Sequence, residues 1–208
     1  MESALRAGAG AAGLTLIETL AWTGTGFARL PLHLARLAQS AHRLGWPCNL
    51  ATVEAALYSE APANPARIRL TLDRKGAIAV GSAPMPAAIA QWRVGLAAAA
   101  LTSDDPWLTI KSSHRPAYDA ARAALPATLD EVIFQNQRGE VCDGTITTVF
   151  FDAGQGLRTP PLSCGLLPGV LRAERAVPEQ LLQVRDLPKV QLWLGNSLRG
   201  LSRARWVG

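Results

Sequence analysis

Between Ala66 and Val80 the chain alternates. Ile68, Leu70 and Leu72 are interleaved with Arg67 and Arg69, and Asp73-Arg74-Lys75-Gly76 follows. Period-two alternation closed by a turn of this composition predicts a β-hairpin, a unit stable only when one face packs against something else. Candidate partners lie on both sides. Leu14 to Trp22 reads as a strand ending in the Gly24-Thr25-Gly26 turn. Pro31 to Gly45 reads as a helix: proline suits the first helical turn, Leu34, Leu37, Ala38, Ala41 and Leu44 form one stripe, and Gly45 and Pro47 end it. Thr52 to Tyr58 predicts a second short helix, with Thr52 as its N-cap.

Further along, Trp92 to Ala98 reads as a strand, and Ser103 to Pro106 as the best candidate domain boundary. A short strand ending in Lys111, a helix from Pro116 to about Leu125, and strands over Asp130 to Gln135 and Val141 to Phe151 follow. A turn at Gly154 to Gly156 leads into Leu157 to Leu162, Pro168-Gly169 opens a helix to about Ala176, and the last clear strand is Val190 to Leu194. Helices and strands mix without strict β-α-β alternation and without an internal repeat. The expected class is therefore α+β, with a small N-terminal subdomain over 1–105 and a second subdomain over 106–208.

Composition narrows the function. With 49% hydrophobic and 18% charged residues the 208-residue chain is an ordinary folded one. The net charge of +5 comes from scattered arginines, with no basic run to follow a nucleic-acid backbone, and a modest arginine excess suits anionic substrates. Cys48, Cys142 and Cys164 are odd in number and lack metal-ligand spacing, which argues for a reducing compartment and against a structural metal or disulfide framework. No apolar run is long enough to span a bilayer. Arg6 and the Ala/Gly stretch after it have the outline of a signal peptide, but Glu18 interrupts the apolar continuation; the expectation is a frayed N-terminus in the cytoplasm.

Four segments carry chemistry. Lys111 closes Leu108-Thr109-Ile110. Such a lysine ordinarily ends in solvent, but with a desolvated stem its pKa falls and it serves as nucleophile and base. In Cys142-Asp143-Gly144-Thr145 an acid and a glycine open an otherwise apolar strand, as a turn or bulge does, or as a carboxylate placed for a protonated ring nitrogen. Leu167-Pro168-Gly169-Val170-Leu171-Arg172 starts a helix whose first N–H groups and dipole favour an anion such as a phosphate. Arg36, at the edge of the first helix's apolar stripe, is either solvated or a phosphate clamp.

The order of these segments is more specific than any one of them. Leu16-Ile17-Glu18-Thr19-Leu20, His33-Leu34-Ala35-Arg36-Leu37, Lys111, Asp143-Gly144, Leu167 to Arg172 and Asn196-Ser197-Leu198-Arg199-Gly200 together resemble the class IV aminotransferase family over nearly the whole chain. Within it, Ile17-Glu18-Thr19-Leu20, the Pro160 to Gly169 stretch and Asn196 to Gly200 look most like 4-amino-4-deoxychorismate lyase. The resemblance implies the D-amino acid aminotransferase-like fold, two subdomains with pyridoxal 5'-phosphate (PLP) in the cleft between them, and a homodimer. It implies that Lys111 carries PLP and moves the substrate proton. Asp143 would meet the pyridine nitrogen, while Arg36, the backbone N–H groups of Val170 and Leu171, and the Ser197 hydroxyl would hold the phosphate. Arg69 and Arg115 would be candidates for substrate carboxylates.

Three departures accompany the resemblance. Asp143 stands where the family usually has glutamate, and Thr148 where it usually has asparagine. The usual N-terminal strand pair with its Asp-Arg-Gly segment is not found before Leu14. The implied function is a lyase that forms 4-aminobenzoate and pyruvate for folate biosynthesis. The alternatives are an aminotransferase acting on a branched-chain or D-amino acid, and a catalytically weakened member that binds PLP.

Overall fold

A computed structural model describes residues 2–208. Its contacts divide the chain into two compact units, Met1–Ala87 with Ile110–His114, and Ala88–Thr109 with Arg115–Gly208. Where the sequence suggested a single break at 105/106, the segment holding Lys111 goes with the first unit because it hydrogen-bonds along that unit's first strand.

The first unit runs α1 (Glu2–Gly8), β1 (Thr15–Trp22), α2 (Leu30–Leu44), α3 (Leu50–Ser59), β2 (Ala66–Asp73) and β3 (Ile78–Pro84). The strands form an antiparallel sheet in the order β1-β2-β3, with the expected hairpin between β2 and β3. Ile68, Leu70 and Leu72 are fully buried, each contributing about 1.5–3 kcal/mol relative to an exposed position. Glu18 sits on this same face of the sheet, which α2 covers with Leu37, Ala41 and Leu44. Gly45 closes α2 in the left-handed conformation (φ 71°) that favours glycine.

Two local expectations are corrected in this unit. The N-terminus is not frayed: Glu2–Gly8 is helical and Leu5 is fully buried. Asn49, not Thr52, is the N-cap of α3, its side-chain oxygen accepting the Thr52 N–H at 3.2 Å.

The second unit contains β4 (Gln91–Leu96), a 3-10 turn (Pro106–Thr109), α4 (Pro116–Ala123), β5 (Glu131–Gln135), β6 (Val141–Gly144) and β7 (Thr148–Asp152). It continues with α5 (Val170–Arg175), β8 (Gln191–Asn196) and β9 (Gly200–Trp206), besides two further 3-10 turns over Leu162–Cys164 and Val184–Lys189. The sheet order is β6-β5-β4-β9-β8-β7, with β4 parallel to β5 and to β9 and the other pairs antiparallel. Strands β6 and β7 stand at opposite ends of this order yet are joined by three residues, so the sheet curls into a partial barrel.

Both faces of this sheet are covered. Trp92, Ile133, Val141, Phe151 and Leu194 pack on one side, and Val132, Phe134, Cys142, Cys164 and Leu166 pack with Ala117, Tyr118 and Ala121 of α4 on the other. Burial on both faces explains the continuous apolar runs of β5 and β7.

Three further expectations change. The segment before Lys111 is a 3-10 turn, not a strand: the Asp105 carboxylate accepts the Trp107 N–H at 2.9 Å and the Thr109 hydroxyl donates to the Pro106 carbonyl at 2.7 Å. Val141 to Phe151 is two strands rather than one. And β9, not expected from sequence, lies in the middle of the sheet.

Candidate active site

Lys111 is placed by β1. The Lys111 carbonyl accepts the Ile17 N–H at 2.9 Å, Ser113 N–H donates to the Thr15 carbonyl at 2.9 Å, and Ser112 bridges Leu16 antiparallel. Directly opposed residues of an antiparallel pair share a face and neighbours alternate. Buried Ser112 therefore lies on the Leu16 face, beneath α2, and Lys111 on the Ile17 face. The same register puts Thr19, Arg69 and Gly81 in one row of that face, and Ala21, Arg67 and Ala83 in the next. Lys111 is two strand spacings from β2, about 10 Å, and the two arginines are about 7 Å apart along it.

Arg67 and Arg69 are exposed, and neither side chain makes a hydrogen bond or ion pair with another described residue. Their row neighbours are small, and the space where a Cβ on Gly81 would project is open. The sequence pointed to Arg69 alone; Arg67 could have been found by the same two-residue spacing.

Arg36 lies on the opposite, helix-covered side. Its Nε donates to Glu18 Oε1 at 2.9 Å and its Nη2 to Oε2 at 2.6 Å, while His33 Nδ1 donates to Oε2 at 2.6 Å. The residue expected to clamp a phosphate is thus fixed by a buried carboxylate from β1.

The second unit gathers the remaining candidates except Arg115 around the loop that leads into α5. Asp143 is buried in β6; its Oδ1 accepts the Tyr118 hydroxyl at 2.9 Å and its Oδ2 the Leu167 N–H at 3.1 Å. Burial pushes its carboxyl up to about 7, with Glu131 adding to the rise; the Leu167 N–H, the Tyr118 hydroxyl and Arg115 act in the opposite direction.

Two residues beyond Leu167, Gly169 is the N-cap of α5 and offers no side-chain acceptor. The N–H groups of Val170 and Leu171 occupy the first turn, where a helix has no internal partner for them. Gly169 packs on Thr148, where a Cβ would come within 2.5 Å of the hydroxyl oxygen. Thr148 is paired with Gly195, against which Leu171 packs so closely that a Cβ there would come within 2.7 Å of its Cδ2. Buried Ser197 follows two residues later, in a turn shaped by the Asn196 side-chain oxygen, which accepts the N–H groups of Leu198 and Arg199 at 3.0 and 2.9 Å. The start of α5 therefore packs on the end of β8, two residues before Ser197. Thr148, where asparagine is usual, seats Gly169.

Arg115 is placed differently. Its Nε donates to Asp119 at 2.8 Å, its Nη2 to the Thr145 carbonyl at 2.7 Å, and its guanidinium lies 5.3 Å from the Tyr118 ring centroid. It ties α4 to the turn between β6 and β7.

That turn depends on a residue the sequence did not single out. Fully buried Glu131 accepts the Thr145 hydroxyl at 2.6 Å, the Ile146 N–H at 3.1 Å and the Thr147 hydroxyl at 3.2 Å. Tyr118 was missed as well. Its one signal was a lone aromatic in a helix otherwise made of small and charged residues, three positions after Arg115.

Each unit carries groups of the kind a pyridine aldehyde phosphate uses: the first an amine and a guanidinium, the second a buried carboxyl with N–H and O–H donors. Among the described residues there is no cluster of His, Cys, Asp and Glu that would hold a metal ion, and no helix is long and apolar enough to cross a membrane.

The chain belongs to a known family. The family model for amino-transferase class IV matches residues 15–206. A Mesorhizobium loti chain described as an amino-acid aminotransferase is 41% identical, with 93% of this chain and 100% of that chain covered and a TM-score of 0.89. The same fold occurs in 4-amino-4-deoxychorismate lyase from Pseudomonas aeruginosa (22% identity, 92% and 82% covered, TM-score 0.82). It occurs again in the branched-chain aminotransferase of Thermoproteus uzoniensis (18%, 95% and 79%, 0.75). No curated protein matches the chain.

Proposed function

We propose that this chain, which belongs to the class IV aminotransferase family and is a PLP-dependent enzyme, is a lyase that converts 4-amino-4-deoxychorismate to 4-aminobenzoate and pyruvate, a step of folate biosynthesis. The observation that carries the reading is the sheet face on which Lys111 stands with Arg67 and Arg69, two guanidiniums with no hydrogen-bond or ion-pair partner among the described residues. The lyase substrate is an amine with two carboxylates. A branched-chain amino acid has one, and would leave a guanidinium unused.

In this reading Arg36, the N–H groups of Val170 and Leu171, and the Ser197 hydroxyl hold the phosphate, and Asp143 meets the ring nitrogen. Bound PLP supplies an electron sink. Arg69 and Arg67 orient the substrate by its carboxylates. The Lys111 amine takes the proton from the ring carbon that bears the substrate's amine. The enolpyruvyl C–O bond then breaks, the electron pair leaves with oxygen, and the ring becomes aromatic. No co-reactant is needed, so the protein's work is orientation and proton transfer at one atom. A homodimer and a cytoplasmic location belong to the same proposal.

The test is to incubate the PLP-loaded protein with 4-amino-4-deoxychorismate and measure 4-aminobenzoate and pyruvate. Equal amounts of both, absent in Lys111→Ala, are expected; no product sinks the reading. The 41% identity to the Mesorhizobium loti chain favours an aminotransferase as second reading. It gains if an amino acid converts the bound cofactor to its pyridoxamine form while the lyase substrate does not react.

A further inference from the structure

The Asp143 carboxyl is addressed from two elements that are far from it in sequence. Leu167, in the loop before α5, donates its N–H to Oδ2, and Tyr118 on α4 donates its hydroxyl to Oδ1. Tyr118 is itself fixed. Its ring meets Phe134 of β5 at 4.9 Å between centroids, inclined by 62°. The Arg115 guanidinium lies over the other part of the ring and is anchored to the Thr145 carbonyl at 2.7 Å. A tyrosine hydroxyl has one proton to donate, and here it is committed to a carboxyl oxygen.

We propose that Tyr118 is a positioning residue for Asp143: its hydroxyl, with the Leu167 N–H, sets the orientation of the shortened acid. The inference rests on the reading of Asp143 as the partner of the cofactor's ring nitrogen. Aspartate is one methylene shorter than the glutamate usual there, so its carboxyl has less freedom to find a partner by side-chain rotation. Fixing both oxygens removes that search. Both donors also favour the charged form, which makes the stronger, charge-assisted bond to a protonated ring nitrogen.

The need is concrete in this surrounding. Burial and the Glu131 carboxylate of β5 raise the Asp143 carboxyl, Leu167 N–H, Tyr118 and Arg115 lower it, and the balance stands at about 7. The adjacent thiol of Cys142 is itself pushed well up, burial first and Asp143 next, so it stays neutral near pH 7 and adds no further negative charge. The Tyr118 proton is one of the groups that keep this acid from rising further.

The experiment compares wild type, Tyr118→Phe and Asp143→Asn as full-length chains. Phenylalanine keeps the ring packing against Phe134, so folding is preserved. Asp143 is titrated in the cofactor-free protein through its side-chain carboxyl carbon by NMR, and PLP affinity is measured at pH 7 and pH 9. In Tyr118→Phe the Asp143 midpoint is expected to rise by about one pH unit. Its PLP dissociation constant should weaken about tenfold at pH 7 and recover most of that at pH 9, where the acid is charged again.

An unmoved midpoint, or a loss of affinity equal at both pH values, overturns the role of Tyr118. Asp143→Asn that binds PLP as tightly as wild type overturns the reading of Asp143 itself, and with it Tyr118's part in holding the cofactor. The first failure concerns the tyrosine alone; the second is seen without it.

Discussion

The guanidinium of Arg36 on α2 lies side-on against the carboxylate of Glu18 on β1, with two hydrogen bonds of 2.9 and 2.6 Å, and the two side chains are 9% and 3% exposed. Burial alone would raise the Glu18 carboxyl. Arg36 and His33 outweigh it and hold the group at about 2, against an ordinary 4.5. One acid from the sheet thereby fixes the arginine assigned to the phosphate.

Glu18→Gln keeps the volume and removes the charge, leaving Arg36 buried without its counter-charge. A loss of about 3 kcal/mol in urea unfolding at pH 7 is expected. The sign with pH follows from the lowered folded-state pKa: the ionised Glu18 contributes its full stabilisation above about 4.5 and loses it as pH falls towards 2. The gap between wild type and variant should therefore be equal at pH 7 and pH 6 and narrower at pH 3. A gap that does not narrow would mean that the Glu18 charge is not what stabilises the wild type.

Much of the architecture was legible where the signal is local. Pro31 and Gly45 bracket α2, and the Arg67/Arg69 alternation gives β2 and its turn, because proline, glycine and period-two patterning act within a few residues. What was missed depends on distant partners. Val141 to Phe151 has the composition of one strand, but Glu131 draws three donors from 145–147 to itself and breaks the run. In β9, Arg203 and Arg205 alternate with Ala204 and Trp206 much as the arginines of β2 alternate with aliphatics. With small and partly exposed residues in the apolar positions, the pattern is too weak to stand without its neighbours β4 and β8. The candidate cofactor residues were legible through family likeness; Tyr118 was not, since its meaning comes from Asp143, 25 residues away.

Glu131 gives the second prediction. Its removal in Glu131→Ala strips the Thr145 and Thr147 hydroxyls and the Ile146 N–H of their acceptor inside a closely packed turn. Each buried unsatisfied donor costs about 1–3 kcal/mol. A loss of at least 3 kcal/mol is expected, with faster amide hydrogen exchange at Ile146 than in the body of β5. Exchange at Ile146 no faster than in wild type would show that the turn is held by other contacts.

Gly165, in the loop ahead of α5, supplies a third. It has φ +83°, and a Cβ there would lie 2.6 Å from the Ser103 Cα and 2.9 Å from its carbonyl oxygen, both backbone atoms. Gly154 has a similar φ of +93° but open space around it. Gly154→Ala should therefore cost only the left-handed strain, about 1 kcal/mol, and Gly165→Ala about 2–4 kcal/mol because the loop must also shift. Melting temperatures decide it: equal drops for the two variants would show that the approach to Ser103 relaxes without cost.

The last prediction concerns the two arginines of β2. Because neither the Arg67 nor the Arg69 guanidinium has a hydrogen-bond or ion-pair partner among the described residues, replacing either with alanine should change stability by no more than about 0.5 kcal/mol. Binding should behave differently. A charge-assisted hydrogen bond to a substrate carboxylate contributes about 1.5–3 kcal/mol, so each variant should lose roughly 10- to 100-fold in kcat/KM with the dicarboxylate substrate. Arg69 stands one same-face row along the sheet from Lys111 and Arg67 two rows, so the carboxylate on Arg69 lies nearer the reacting carbon and its loss should reach kcat as well as KM. Arg67 holds the farther group, and its loss should fall on KM alone. Raising salt from 50 to 500 mM should weaken wild type more than either variant, since screening acts on the charge that the variants lack. If Arg67→Ala retains full kcat/KM at low salt, the second carboxylate is bound elsewhere and the face beside Lys111 recognises a monoanion.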